Sequence, residues 1–133
     1  MTLNTLNTPV IVATSVRLYG IPNCDTVKKA RTWLANQGLE VVFWDFKKQG
    51  VPAAELATWA NVLGWEPLVN RKGTTWRKLD AATQQAVVDA ASAMHLMQSQ
   101  PSVIKRPVVC WPDGSVSVGF DAGVWAQRIA GKA

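Results

Sequence analysis

Apolar side chains recur along the first third of the chain with two different periods, and each period predicts one kind of element. The stretch VRLY at 16–19 alternates apolar and polar residues, which indicates a short strand. Over residues 25–37 the apolar positions follow the spacing of an amphipathic helix, and Gly38 is suited to end that helix. The β-branched and aromatic run VVFWDF at 41–46 predicts a second strand. Because the crossover has helical length, the two strands are expected to be parallel.

The middle of the chain has mainly helical patterns. Residues 52–64 begin with a proline suited to a first helical turn and end with a glycine, so a helix is predicted there. Residues 65–80 follow no clean period and hold cations between apolar anchors, which indicates a short helix or a loop that presents positive charge. Residues 83–100 are predicted to be helical, in one piece or in two pieces that meet near Ala91 and Ser92.

The C-terminal part has the strongest local pattern. Two β-rich runs within residues 106–120 are joined by Pro-Asp-Gly-Ser, which predicts an antiparallel hairpin with a tight turn. Asp121 then suits the N-cap of a last helix, with Val124, Trp125 and Ile129 on roughly one face. The element order predicts an α/β fold with a helical insertion between its second and third strands.

The whole pattern is expected to form one domain at residues 16–131, after a loose polar leader at residues 1–15. A chain of 133 residues is long enough for one compact core. The leader has no Lys or Arg and too short an apolar run for a secretion signal, and no run of about 18 apolar residues occurs to cross a membrane. We therefore expect a cytoplasmic monomer with no membrane contact.

Charge and composition narrow the kinds of partner. The net charge of +5 favours anionic partners. The basic residues are mostly mixed with acidic ones and no nucleic-acid-binding motif is present, so direct nucleic-acid binding is not expected. One histidine and two cysteines are too few for a structural metal site or a disulfide framework, so no metal is predicted.

Cys24 has the most informative position for chemistry. It lies in YGIPNCDT, between the first strand and the first helix. Unpaired amides at a helix N-terminus lower the pKa of a cysteine, and Lys28 lies one turn further along the helix. A lone cysteine is often only a small buried residue. Its place at the end of a β-strand, where α/β sheets collect their ligands, favours a nucleophilic thiolate.

No second thiol is placed to form a disulfide with Cys24. The sequence after it is CDTV, without the second cysteine of a C-x-x-C motif, so any disulfide involves another molecule. Cys110 lies within the predicted strand VVCW among apolar neighbours, which indicates a buried structural thiol. If Pro107 lies beside Cys24, Cys110 is about 10 Å further along the strand, beyond disulfide reach.

The tryptophans are numerous, and most fall in patterns that core packing explains. Trp33, Trp44, Trp59 and Trp125 occupy amphipathic or strand positions. Trp76 lies in the cationic stretch GTTWRKL, so it is the tryptophan considered for ligand contact.

The ordered stretches YGIPNCDTVKKARTWL, LVNRKGTTWRKL, PSVIKRPVV and VGF together resemble the arsenate-reductase-like (ArsC/Spx) family of thioredoxin-fold proteins. The resemblance covers about residues 16–130 and is strongest to the YffB-type branch. It implies a thioredoxin-like, glutaredoxin-type mixed sheet with a helical insertion. It also implies that Cys24 matches the nucleophilic cysteine of arsenate reductases, and that Arg106 matches an arginine that binds the oxyanion.

The resemblance also assigns supporting residues, with two departures from the family pattern. Pro107 would be the cis-proline of thioredoxin folds. The family's other oxyanion arginines fall on Asn70 and Gly119, although Arg71 is adjacent to the first. Fewer guanidinium groups should weaken binding of arsenate and suit a carboxylate or thiol ligand better. The residues expected to contact the thiolate or a bound anion are Asn23, Lys28, Asn70, Arg71, Arg77 and Pro107.

Together these observations predict a thiol-dependent reductase in which Cys24 and Arg106 are the catalytic residues. No cofactor is expected to be bound, and glutathione is the expected co-substrate, with another small thiol or oxyanion as the alternative ligand. Two other functions stay open: a true arsenate reductase, and an Spx-like regulator that binds RNA polymerase or another protein. Glutaredoxin and RNA polymerase are the protein partners considered. Val27 occupies the place of the second cysteine in the Spx redox switch.

Overall fold

The computed structural model describes residues 15–130, which form two compact units. The first unit contains residues 15–44 and 106–130, and the second contains residues 45–105. Ser15 belongs to the first strand and not to the predicted leader. The rest of the leader, residues 1–14, and the predicted domain end at residue 131 lie outside the described residues.

The elements follow the predicted order. The strands are β1 (Ser15–Gly20), β2 (Glu40–Asp45), β3 (Val108–Cys110) and β4 (Val116–Val118). The α-helices are α1 (Asp25–Asn36), α2 (Phe46–Gln49), α3 (Ala53–Leu63), α4 (Thr74–Lys78), α5 (Ala81–Gln85), α6 (Ala90–Ser99) and α7 (Ala122–Ala130). Of two 3₁₀ turns in the second unit, Glu66–Leu68 lies between α3 and α4, and Pro101–Val103 lies between α6 and β3. No described helix is long and apolar enough to cross a bilayer.

The four strands of the first unit form one mixed sheet in the order β2-β1-β3-β4. Strand β3 runs antiparallel to both of its neighbours, with Leu18 opposite Val109 and Val109 opposite Ser117. The β3–β4 hairpin is therefore confirmed. Its turn closes where the Gly114 amide donates to the Trp111 carbonyl at 2.9 Å, with Gly114 at a φ of 89° that favours glycine.

One face of this sheet carries the core of the first unit. Because side chains alternate along a strand, Val16 and Leu18 of β1 share that face with Val109. The buried stripe of α1 and Trp125 of α7 pack against them. The predicted apolar stripe of α1 is confirmed: its buried residues are Val27, Ala30 and Leu34.

The second unit is helical, with one short extended pairing. Leu56 and Trp59 of α3 are fully buried, and Trp59 packs against the Phe46 ring with centroids 6.3 Å apart. An isolated bridge joins Val69 to Ile104, and the Asn70 amide donates to the Val103 carbonyl at 2.8 Å. Residues 69–70 are thereby held beside residues 103–104, which precede β3 in the sequence.

Residues 83–100 form two helices, but their break differs in position from the prediction near Ala91 and Ser92. Helix α5 ends at Gln85 and α6 begins at Ala90. The Asp89 carboxylate accepts from the Ser92 amide at 2.9 Å, and Ser92 Oγ accepts from the Asp89 amide at 3.1 Å. This capping box starts a helix, so Ser92 lies in the first turn of α6 and not at a break.

Three predicted core positions are also less buried than expected. Val124 is 54% exposed and lies outside the buried face of α7. Trp33 and Trp44 are half-buried, whereas Trp59 and Trp125 are buried as predicted.

Candidate active site

The loop after β1 places Cys24 at the N-cap of α1. Its backbone is extended, with φ −144° and ψ 122°, and its carbonyl accepts the first intrahelical bond from the Lys28 amide at 2.9 Å. An N-cap residue sits beside amides that have no partner inside the helix. Cys24 is half-buried, so a reactant can still reach its side chain from solvent.

Close packing between β1 and α1 holds this loop in place. A Cβ atom added at Gly20 would lie 2.9 Å from Cγ2 of Val27, which is closer than real Cβ contacts. Val27 is fully buried in the core. Only glycine therefore allows the end of β1 to approach the first turn of α1 at this distance, and the position of Cys24 depends on that approach.

The surroundings of Cys24 favour its thiolate. Burial by itself would raise the pKa of the thiol. The Val27 amide, a hydrogen bond and the positive charge from the Arg106 guanidinium, and the Thr26 amide act in the opposite direction. Together they outweigh burial, so the pKa of Cys24 lies below its ordinary value and more of the nucleophilic thiolate is present at neutral pH.

Arg106 reaches Cys24 from the chain segment that leads into β3. The Arg106–Pro107 peptide bond is cis, the isomer that the sequence resemblance implied. Pro107 is buried, and its carbonyl accepts from the Gly119 amide at 2.8 Å, which fixes it against the end of the β3–β4 hairpin. Two segments far apart in sequence thus bring a thiol and a guanidinium together.

The backbone conformation at residue 119 restricts which residue types can occupy this position. The φ of Gly119 is 86°, in the left-handed region that favours glycine. An arginine at this position, which the family pattern implied, would adopt a strained backbone. The backbone of this chain therefore accounts for one of the two departures from that pattern.

Asn23 and Lys28 flank Cys24 on either side, and both are exposed. Neither is among the described groups that shift the pKa of Cys24. Their predicted contact with the thiolate or a bound anion stays a prediction.

Three further predicted residues belong to the second unit. The Arg71 guanidinium lies 5.6 Å from the ring centroids of both Trp65 and Trp76, so it is held between two aromatic rings. Trp76, considered for ligand contact, thus contacts a cation of its own unit.

Asn70 and Arg77 make local contacts in the same unit. The Arg77 guanidinium donates to the Lys72 carbonyl at 2.8 Å, and the Asn70 carbonyl accepts from the Gly73 amide at 3.1 Å. A Cβ atom at Gly73 would lie 2.8 Å from Nδ2 of Asn70, so the turn before α4 is tightly packed. Roles of these residues in anion binding stay predictions.

Cys110 differs from its prediction in burial. It is half-buried and not fully buried, because it lies on the sheet face opposite to the core, directly across from Arg17. It lines a depression that Arg17 and Val42 also border. Within residues 15–130, no group of three or more His, Cys, Asp or Glu side chains could hold a metal ion.

The sheet order and the cysteine at the start of the first helix are those of a thioredoxin-like fold, the fold class that the sequence predicted. The family model described as the ArsC family matches residues 19–127, and the chain belongs to that family. It is 38% identical over 115 residues to an uncharacterized protein of Haemophilus influenzae, covering 86% of this chain and 99% of the relative.

Two solved structures extend this result. A protein named YffB is 45% identical, with a TM-score of 0.77, and the match covers 84% of this chain and 96% of YffB. An arsenate reductase (ArsC) related protein from Brucella melitensis is 47% identical, with a TM-score of 0.68, over 86% of this chain and 94% of the other. The predicted resemblance to the YffB-type branch is confirmed.

Proposed function

We propose that this protein is a thiol-dependent reductase that uses Cys24 as its single nucleophile and glutathione as the resolving thiol. The observation that carries the proposal is the pairing of the Cys24 sulfur with the Arg106 guanidinium at the start of α1. A thiolate held by amides and a cation reacts with disulfides at neutral pH, where an ordinary thiol is mostly protonated. We expect the reaction to occur in the cytoplasm, where glutathione is the abundant thiol.

The proposed substrate is a mixed disulfide between glutathione and a second molecule. The Cys24 thiolate attacks the glutathionyl sulfur, the substrate disulfide breaks, and the released thiolate takes a proton from solvent. A glutathione thiolate then attacks the glutathionyl sulfur on Cys24. Oxidised glutathione leaves and the Cys24 thiolate is restored, so the two electrons come from glutathione.

The same residues support this reaction better than reduction of arsenate. Arsenate carries several oxygens that guanidinium groups bind in bidentate fashion. Of the three positions where the family pattern places arginines, only Arg106 is an arginine, and the other two are Asn70 and Gly119. A single guanidinium is enough to stabilise a thiolate or one carboxylate of glutathione.

A coupled assay tests the proposal. A glutathionylated peptide, glutathione, glutathione reductase and NADPH are mixed with the protein, and NADPH oxidation is followed. We expect the unmodified protein and a Cys110→Ala variant to accelerate the reaction, and a Cys24→Ser variant to give only the background rate. Equal rates for the unmodified protein and Cys24→Ser would exclude Cys24 as the nucleophile.

A further inference from the structure

A groove runs along the exposed side of α1, beside the start of α7, and has a volume of about 500 Å³. Its lining combines two aromatic rings with polar and cationic side chains. The residues that define this groove are Lys28, Lys29, Thr32, Trp33, Asn36 and Phe120. All of them belong to the first unit.

The floor of the groove is aromatic and held in place from below. Trp33 and Phe120 are both half-buried, and each contacts the buried Trp125 ring edge to face, with centroids 5.8 Å and 4.7 Å away. Trp125 in turn packs on Trp111 at 5.0 Å. Because this cluster fixes the two outer rings, they can contact an apolar ligand group without being ordered at the moment of binding.

The rim of the groove is positively charged. Lys28 and Lys29 are exposed, and no salt bridge joins either of them to a described carboxylate. Two carboxylates lie nearby in the chain, Asp25 in the first turn of α1 and Asp121, which accepts from the Val124 amide at 3.0 Å, but neither lines the groove. A lining with two ammonium groups, two aromatic rings and no carboxylate is complementary to a ligand that has both negative charge and an apolar ring.

The groove begins close to the thiol. Lys28 lies one helical turn after Cys24, and a rise of about 1.5 Å per residue puts their backbones about 6 Å apart along the helix axis. A ligand in the groove can therefore extend from Trp33 toward the Cys24 sulfur.

We propose that this groove binds an acidic peptide segment with an aromatic side chain, and that this segment neighbours the oxidised cysteine of a protein substrate. The substrate assignment rests on the proposed function, whereas binding of the segment does not. Glutathione has carboxylates but no ring to cover Trp33 and Phe120. A peptide of four glutamates around one phenylalanine provides both kinds of contact.

The first test is a titration of the ¹⁵N-labelled full chain with that sulfur-free peptide, followed by NMR. We expect saturable shifts of the Trp33 indole N–H and of the Phe120 amide below about 1 mM peptide, a modest affinity for one short segment. A peptide with lysines in place of the glutamates should cause no such shifts. Equal shifts with both peptides, or none with either, would overturn the proposal.

A charge-reversal variant tests the rim without disturbing the core. Lys29→Glu changes an exposed side chain, and Lys48→Glu makes the same change at an exposed lysine outside the groove. We expect Lys29→Glu to weaken binding of the acidic peptide at least threefold and Lys48→Glu to leave it within the error of the measurement. Concentration-dependent shifts of Trp33 without peptide would identify the groove as an interface between two copies of the chain and would contradict the proposal.

Two readouts separate this proposal from the proposed function. The Cys24→Ser variant should bind the sulfur-free peptide as the unmodified protein does, since no covalent step is involved. Lys29→Glu should slow reduction of a glutathionylated acidic peptide at least threefold and leave unchanged the reduction of a mixed disulfide between glutathione and a small uncharged thiol. Loss of both reactions in Cys24→Ser with peptide binding intact supports both proposals, whereas intact reduction of the acidic peptide by Lys29→Glu overturns this one.

Discussion

The two cysteines of the first unit have similar exposure but different neighbours. Cys24 lies at the start of a helix, where the Val27 amide, the Arg106 guanidinium and the Thr26 amide lower the pKa of its thiol. Cys110 lies within a strand, and its backbone groups belong to a ladder between β1 and β4. Both side chains are half-buried. The difference teaches that accessibility alone does not set the pKa of a thiol, because the position in the backbone decides whether amides are near the sulfur.

Helix α1 supplies this environment without dedicated side chains. A strand pairs its amides with neighbouring strands, whereas the first turn of a helix leaves its amides available. Arg106 then adds a full positive charge. The lowered pKa of Cys24 therefore has two sources, the amides and the guanidinium, and the guanidinium can be removed by mutation without changing the helix end.

The largest expected effect comes from removing each thiol in turn. Cys24→Ser should lower the rate of disulfide reduction by about a thousandfold or more, because a hydroxyl is not ionised at neutral pH and cannot replace the thiolate. Cys110→Ala should change the rate less than twofold. The coupled NADPH assay measures both, and a loss of activity in Cys110→Ala at normal stability would contradict the division between the two cysteines.

The next effect concerns the packing that positions Cys24. Gly20→Ala should lower the free energy of unfolding by about 1–3 kcal/mol, because the new methyl group lies too close to Val27 and the helix has to shift. Gly123→Ala is the matched control, since its nearest neighbour would be Asp121 Oδ1 at an ordinary 3.4 Å. Urea unfolding compares the two variants, and equal stabilities would show that β1 and α1 do not depend on this close approach.

A smaller effect is expected from removing the guanidinium. Arg106→Ala should raise the pKa of Cys24 toward its ordinary value and slow its alkylation at pH 7 severalfold, since the thiolate loses a charge-assisted hydrogen bond and a nearby positive charge. Arg106→Lys keeps the positive charge but not the planar set of donors of a guanidinium. Its alkylation rate should therefore lie between the rates of the unmodified protein and of Arg106→Ala. An unchanged alkylation rate in Arg106→Ala would assign the lowered pKa to the amides alone.

The smallest effect is expected at Lys28. Its side chain is exposed, and solvent screens an exposed charge at this distance. Lys28→Ala should therefore change the alkylation rate of Cys24 less than about twofold. A tenfold decrease, measured by mass spectrometry at the same pH, would show that Lys28 stabilises the thiolate directly.

The part of the site that is local in sequence could be predicted. The spacing of the apolar residues in α1 and the terminating Gly38 placed Cys24 at a helix N-terminus, because both signals lie within a few turns. The hairpin was equally local, since Pro-Asp-Gly-Ser joins two β-rich runs.

The position of Arg106 and the groove beside α1 could not be predicted from local patterns, because each is formed by segments that are far apart in sequence and adjacent in the fold. The residues around Arg106 have no periodicity that aims a guanidinium at Cys24, and only the family resemblance indicated it. The groove beside α1 was missed because Trp33 has the pattern of a core residue, while its exposed edge depends on Phe120 from the other end of the chain. The start of α6 was misplaced because the Ala-rich stretch favours helix on both sides, and the capping box at Asp89 and Ser92 was not recognised.

The pH dependence of Cys24 alkylation in a Cys110→Ala background tests the central claim most directly. Because the thiolate is the reacting form, a lowered pKa moves the midpoint of the rate profile to lower pH. We expect a midpoint clearly below the value of about 8.5 that an unperturbed cysteine in a peptide shows under the same conditions. A midpoint at or above that value would contradict the assignment of Cys24 as an activated nucleophile.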